Sequence, residues 1–184
     1  MGSKYLEKIN GPADLKSLQV AELAELAEEI RQFILRSVSK AGGHLSSNLG
    51  AVELTLALHY VFDFKQDKLL WDVGHQCYTH KIVTGRKAGF DQLRHAGGIS
   101  GFPNPAESEY DQFTVGHAGT SVATAIGMAL AEQLKAGKAE TEPKPSRRET
   151  DKPKPTVPRI VAVVGDASIV NGASFEALNN LGLI

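Results

Sequence analysis

The stretch Ile160-Val161-Ala162-Val163-Val164-Gly165-Asp166-Ala167-Ser168 decides the fold class. Five apolar residues, four of them β-branched, run without interruption and stop at a Gly-Asp pair. A short continuous apolar run of this kind predicts a central parallel strand buried on both faces. The residues after it, Gly172 to Leu181, have the composition of a helix. Ligands of open α/β sheets bind at the carboxyl ends of strands. Asp166 stands there, where its carboxylate can hold a hard cation and the neighbouring backbone N–H groups can meet phosphate oxygens. Taken alone, a Gly-Asp pair after a strand reads equally well as a turn or a helix cap.

Working back from this strand, Lys135 to Arg159 is of a different composition. It holds five of the eight prolines, eight basic and four acidic residues, and Val157 as its one β-branched apolar residue. Such a segment buries too little apolar surface to offset its ordering entropy, so 135–159 is expected to be a flexible insert. Interleaved acids and absent aromatics argue against a nucleic-acid tail. Before it, Thr120 to Leu134 predicts a helix of small residues, and Gln112 to Val115 a short strand. Gly89 to Asp111, rich in glycine, proline and polar residues, predicts a long functional loop. Cys77 to Val83 predicts a helix ending near Gly85, and Lys68 to Val73 a strand feeding a loop at Gly74.

Nearer the N-terminus, Leu23, Leu26, Ile30, Phe33, Ile34 and Val38 recur at helical spacing, with Glu22, Glu25, Glu28, Glu29 and Arg31 on the other face. Gly42-Gly43 stops that helix. A second, from about Gly50 to Phe62, is apolar nearly all round and is expected to be buried. Helices alternating with short apolar strands predict a parallel sheet flanked by helices in a single α/β domain. The net charge of −1 and the 22% share of charged residues exclude bulk electrostatic attraction to nucleic acid or membrane. Cys77, the single cysteine, fits a reducing compartment. The first residues lack an apolar signal core, so the cytosol is the expected location.

Three histidines share one context. His44 follows Gly42-Gly43 between two helices, His75 follows Gly74 past a strand end, and His117 follows Gly116 at a strand-to-helix turn. Glycine lets backbone approach a ligand closely, and imidazole titrates near neutrality. His59, within the apolar helix, reads as a packed core residue; His80 and His95 read as ordinary solvated side chains.

Four segments in this order resemble 1-deoxy-D-xylulose-5-phosphate synthase: SVSKAGGHLSSNLGAVELTLALHYVF from Ser37, LLWDVGHQCYTHKIVTGR from Leu69, GGISGFPNPAESEYDQFTVGHAGTSVATAIGMALA from Gly97, and VAVVGDASIVNGASFEALNNLG from Val161. The resemblance implies a thiamine-diphosphate-binding fold, with 1–184 as its N-terminal domain, truncated and incomplete at the C-terminus. It also implies a transferase working as a cytosolic homodimer. That enzyme condenses pyruvate with D-glyceraldehyde 3-phosphate, losing carbon dioxide, to give 1-deoxy-D-xylulose 5-phosphate for isoprenoid, thiamine and pyridoxal synthesis. The cofactors implied are thiamine diphosphate and Mg2+.

By motif, Asp166 would ligate the Mg2+, with Ala167 and Ser168 touching the diphosphate. Gly116, His117, Ala118 and His75 would contact the cofactor. His44, with His75 as a catalytic partner, would position substrate and move protons. The family's second metal-ligating asparagine and its cofactor-protonating glutamate would lie beyond Ile184, so these residues alone are expected to be inactive. A transketolase or 2-oxo-acid dehydrogenase subunit, or a non-catalytic cofactor-binding domain, is the alternative. Two departures stand out. The family's usual GDG is Gly165-Asp166-Ala167 here, harmless if residue 167 has negative φ, and its GHS is Gly116-His117-Ala118.

Overall fold

The computed structural model describes residues 3–141 and 157–182. Its element order is α1 (Pro12–Lys16), α2 (Val20–Ala41), α3 (Ser46–Leu49), α4 (Val52–Val61), β1 (Lys68–Trp71), α5 (Tyr78–Lys81), α6 (Ser121–Thr141), β2 (Ile160–Val163), α7 (Asp166–Ile169) and α8 (Gly172–Leu181). Short 3-10 turns add Leu6–Lys8 and Lys87–Gln92, and a wide turn joins α5 to the latter through Ile82–Arg86.

The 22-residue α2 begins where the Glu22 carboxylate accepts the Gln19 N–H at 2.7 Å, and ends at Gly42, whose φ is 75°. Its buried stripe is Leu26, Ala27, Ile30 and Ile34, none more than 1% exposed. Full burial of each large side chain contributes roughly 1.5–3 kcal/mol. Across from this stripe, α4 buries Val52, Thr55, Leu56 and His59. Contrary to the expectation from its composition, the helix is not buried all round: Leu54 is 49% and Val61 63% exposed. Only the faces that meet α1, α2 and α5 are covered among the described residues. His59 is a core residue, as read from the sequence.

β1 and β2 pair in parallel, from Lys68 opposite Ile160 to Trp71 opposite Val163. Asp67 fastens the entry to both strands, accepting the Arg159 N–H at 2.9 Å and its Nη2 at 2.8 Å. β2 is half-buried rather than enclosed on both faces, with α6 packed against it and β1 as its one strand neighbour among the described residues. Gln112 to Val115 is not a strand: it joins no ladder among the described residues, and Phe113 is 44% exposed. Its start is drawn off by Asp111, whose carboxylate is committed to the interior.

α6 runs on to Thr141, past the expected end at Leu134, because the alanines, lysines and glutamate that follow favour helix. The remainder of the expected insert, 142–156, lies outside the described residues. No helix among the described residues is long and apolar enough to cross a membrane.

Candidate functional site

Parallel pairing brings the carboxyl ends of β1 and β2 side by side. The Asp72 N–H, one residue past β1, donates to the Val163 carbonyl at 2.8 Å. The Asp72 carboxylate, 1% exposed, accepts the Gly119 N–H at 2.8 Å, the Ser121 N–H at 3.0 Å and the Ser121 hydroxyl at 2.7 Å. It therefore sits at the positive end of the 21-residue α6. Burial alone would raise its pKa, but donors from Ser168, Ser121 and the Gly119 backbone outweigh burial and hold it below the ordinary carboxylate value. Ser174 closes the set, its hydroxyl donating to the Ser168 carbonyl at 2.8 Å. Asp72 thus anchors the turn that follows Ala118, and Ser174, whose hydroxyl also reaches the Gly119 carbonyl at 3.5 Å, ties that turn to the one carrying Asp166, Ala167 and Ser168.

Gly116, His117 and Ala118 are exposed, as are Asp166 and Ala167, while Ser168 is buried. Asp166 opens α7, and its Oδ1 accepts the N–H of Ala167 at 2.9 Å. The Ser168 N–H donates to the Gly165 carbonyl at 3.0 Å. Ala167 is helical, and the non-glycine residues with positive φ among those described are Val73 and Arg94. Alanine in place of the usual glycine therefore imposes no backbone strain. Phe113 to His117, with Trp71, Ser121 and Thr124, line a cleft of about 460 Å³.

The second cluster gathers His44 and His75. Asn48, fully buried, donates through Nδ2 to both the His44 carbonyl (2.7 Å) and the His75 carbonyl (2.8 Å). Its Oδ1 accepts the Tyr78 N–H at 2.8 Å. The Tyr78 hydroxyl in turn accepts the His44 N–H at 3.2 Å. The two rings meet edge to face with centroids 5.3 Å apart. Two glycines make this approach possible. A Cβ on Gly43, whose φ is 143°, would lie 2.6 Å from the Tyr78 hydroxyl, and one on Gly74, φ 88°, would lie 2.5 Å from Pro103. Val73, with φ 61°, bends the chain away from β1 and holds backbone strain. Partial burial lowers the pKa of His44, and nearby His75 and Arg94 lower it further, so the ring is neutral near pH 7. Nδ1 of each imidazole is buried without a partner among the described residues.

A third group went unread in the sequence. His80 is not a solvated side chain: it is fully buried. Its Nε2 meets Asp111 at 2.7 Å, and its Nδ1 meets His59 Nε2 at 2.9 Å. Asp111 also accepts Arg86 at 2.6 and 3.0 Å and the Asn104 N–H at 2.7 Å. Beside it the buried Lys81 ammonium donates to Glu107, whose other oxygen accepts the Ser100 N–H at 2.7 Å. The imidazole nearest a carboxylate usually gains basicity, but burial dominates at both rings and lowers both pKa values. His80 donates to Asp111 and accepts from His59, which satisfies the neutral His80 ring, while His59 Nδ1 is buried without a partner among the described residues.

The pH dependence follows. In the unfolded chain both histidines protonate below the ordinary value of 6.5, whereas the folded state resists it. The stability they contribute is complete above that value and is lost as pH falls from it toward the depressed folded values. Urea midpoints are expected to fall between pH 7 and pH 5, with a shallower slope for His59→Gln. An equal slope in that variant would show that His59 does not titrate on unfolding.

Asn48 and Asp72 lie within the quoted segments yet carry no sequence signal of their own. Their roles depend on partners from other elements. Lys81, Arg86, Glu107 and Asp111 all fall within the segments that carry the family resemblance, but nothing in the sequence shows that they meet one another.

Parallel strands with their loops gathered at the carboxyl ends, between flanking helices, define an α/β chain. The chain belongs to the 1-deoxy-D-xylulose-5-phosphate synthase family, whose N-terminal family model matches residues 6–142. It is similar to the 1-deoxy-D-xylulose-5-phosphate synthase of Dictyoglomus thermophilum, 51% identical over 97% of this chain and 26% of that protein. The Dechloromonas aromatica protein of the same name is 50% identical over 98% of this chain and 26% of its own length. That of Acidovorax sp. strain JS42 is 52% identical over 97% and 25%. The chain thus spans about a quarter of the length of the curated relatives it matches. Similarity reaches beyond the quoted motifs to almost the whole chain.

Proposed function

We propose that this chain contributes the diphosphate and metal part of the site of a 1-deoxy-D-xylulose-5-phosphate synthase, a homodimer of the cytosol. The reaction joins pyruvate to D-glyceraldehyde 3-phosphate and releases carbon dioxide. Thiamine diphosphate, when bound, supplies the electron sink for the carbanion left by decarboxylation. The chain's residues hold and orient the reactants and move protons. The observation that carries this reading is the convergence of the Gly116–Ala118 and Asp166–Ser168 turns at the carboxyl ends of the paired strands, where the buried Asp72 carboxylate holds Gly119 and Ser121 and Ser174 bridges the Gly119 and Ser168 carbonyls.

The residues suit the groups implied. Mg2+ is commonly held by one or two carboxylates together with phosphate oxygens and water, so the single exposed Asp166 is an adequate protein ligand. Among the described residues no cluster of three or more His, Cys, Asp or Glu offers an all-protein metal cage. The N–H groups of Gly119 and Ser121 already serve Asp72 and that of Ser168 serves the Gly165 carbonyl, which leaves diphosphate contacts through backbone N–H to residues 116–118 and Ala167. Turning the Asp166 carboxylate onto the cation would release the Ala167 N–H, now bound to Oδ1, toward a phosphate oxygen. His44, neutral and beside His75, would position substrate and transfer protons, and His75 would contact the cofactor.

A chimera tests this directly. These residues would replace the matched quarter of the Dictyoglomus thermophilum protein, and pyruvate-dependent carbon dioxide release would be measured with Mg2+ and thiamine diphosphate. Turnover within about tenfold of the parent is the expected result, a loss of no more than about 1.4 kcal/mol in barrier height. A chimera with the parent's melting temperature but no cofactor binding would overturn the reading.

A further inference from the structure

From Leu93 to Asp111 the chain forms no helix or strand, yet its backbone is pinned throughout. The Arg94 N–H donates to the Ile99 carbonyl at 2.8 Å, and the Gly98 N–H to the His95 carbonyl at 3.0 Å. Further on, the Ser100 N–H reaches Glu107 and the Asn104 N–H reaches Asp111, each at 2.7 Å. Between those two pins the Phe102 N–H donates to the Ser100 hydroxyl at 3.1 Å. The two carboxylates are fixed in turn by Lys81, Arg86 and His80. Buried charges are costly to assemble, and here they converge on the backbone either side of one aromatic residue.

That residue faces the candidate site. The Phe102 ring lies 5.6 Å from the His44 ring, centroid to centroid, in an edge-to-face arrangement at 68°. His75 meets the same imidazole at 5.3 Å. The neighbouring Pro103 fills the space beside Gly74, at the base of the His75 loop. We propose that Phe102 is a positioning residue for His44: held by Glu107 and Asp111, its ring fixes the plane of the imidazole and keeps water from it. Its importance to turnover rests on the reading of His44 as a proton-transferring group.

The other groups facing His44 are known. His75 comes from the loop after β1, Tyr78 from α5 through its hydroxyl, and Arg94 from the start of the pinned loop. All three remain when Phe102 is changed, so its substitution isolates the apolar wall. Burial is the main cause of the depressed pKa of His44, and removing the wall admits water that stabilises the charged form.

In the full chain, the His44 titration followed by imidazole NMR is expected to move up toward the ordinary histidine value in Phe102→Ala. Glu107→Gln should shift it less, and Phe102→Leu, which keeps an apolar wall, should restore most of the original midpoint. The buried His59 and His80 signals report whether each variant is folded. Should the alanine variant lose them, Phe102→Gln, which fills the space with a polar group, carries the same comparison. In the chimera, Phe102→Ala is expected to lower kcat by up to about 10²-fold, the scale of a small misplacement, with thiamine diphosphate affinity unchanged. The acid limb of its kcat profile should move up in pH with the His44 titration. A His44 midpoint that stays put in a folded Phe102→Ala or Phe102→Gln chain overturns the proposal. A shifted midpoint with unchanged kcat keeps the positioning role and removes His44 from the reaction, which separates the two readings.

Discussion

Asp111→Ala is expected to cost the fold about 3–5 kcal/mol, the range for removing one partner of a buried ion pair. The carboxylate is 5% exposed and accepts four donors: the His80 ring, two Arg86 nitrogens and the Asn104 N–H. Truncation leaves the Arg86 guanidinium, in a poorly hydrated place, with Glu107 as its one carboxylate partner, at a longer 3.4 Å and shared with Lys81. It also frees the backbone at Asn104. Urea denaturation of the full chain at pH 7 measures the loss. Adding Arg86→Met to Asp111→Ala should recover part of it, because the stranded charge is then gone. A loss below about 1 kcal/mol, the scale of an exposed pair, would mean that water already reaches the network.

Two substitutions in the chimera should separate metal chemistry from proton chemistry. His44→Ala is expected to lower turnover by about 10²–10⁴-fold, the usual contribution of a general acid–base group, while thiamine diphosphate affinity stays almost intact. Asp166→Ala should instead weaken Mg2+ and cofactor binding together, with partial recovery at high Mg2+. Calorimetry beside steady-state kinetics gives both readouts. Equal loss of cofactor binding in the two variants would make His44 a cofactor contact or a structural residue. Normal Mg2+ dependence in Asp166→Ala would show that the cation is held elsewhere.

Much of this architecture was legible because it is written in local patterns. The α2 stripe repeats at helical spacing, and both parallel strands are short apolar runs ending at glycine-containing loops. His44 and His75 were readable for the same reason, since each follows a glycine whose conformation or clearance the loop requires. What stayed hidden is relational. Asn48 is one polar residue among several until its amide is seen spanning two histidine loops. His80 looked solvated because its partner, Asp111, lies 31 residues away. Gln112 to Val115 has strand composition, but a strand needs a neighbour, and among the described residues none is alongside. Ala167 posed a question that only backbone conformation could answer: it is helical.

The parallel pairing of β1 with β2 has a consequence for synthesis on the ribosome. Asp67 and Arg159, which fasten the two strands at their start, are 92 residues apart. At about 5–20 residues per second, β1 emerges on the order of 5–20 s before the segment that completes its pairing. Through that interval the Leu69-Leu70-Trp71 edge, buried in the finished fold, is an unpaired apolar strand. The α2–α4 layer can form early from local contacts and shield one side of it. The other edge stays open to neighbouring nascent chains, which makes the yield of folded protein more sensitive to translation rate and chaperone supply than its final stability suggests.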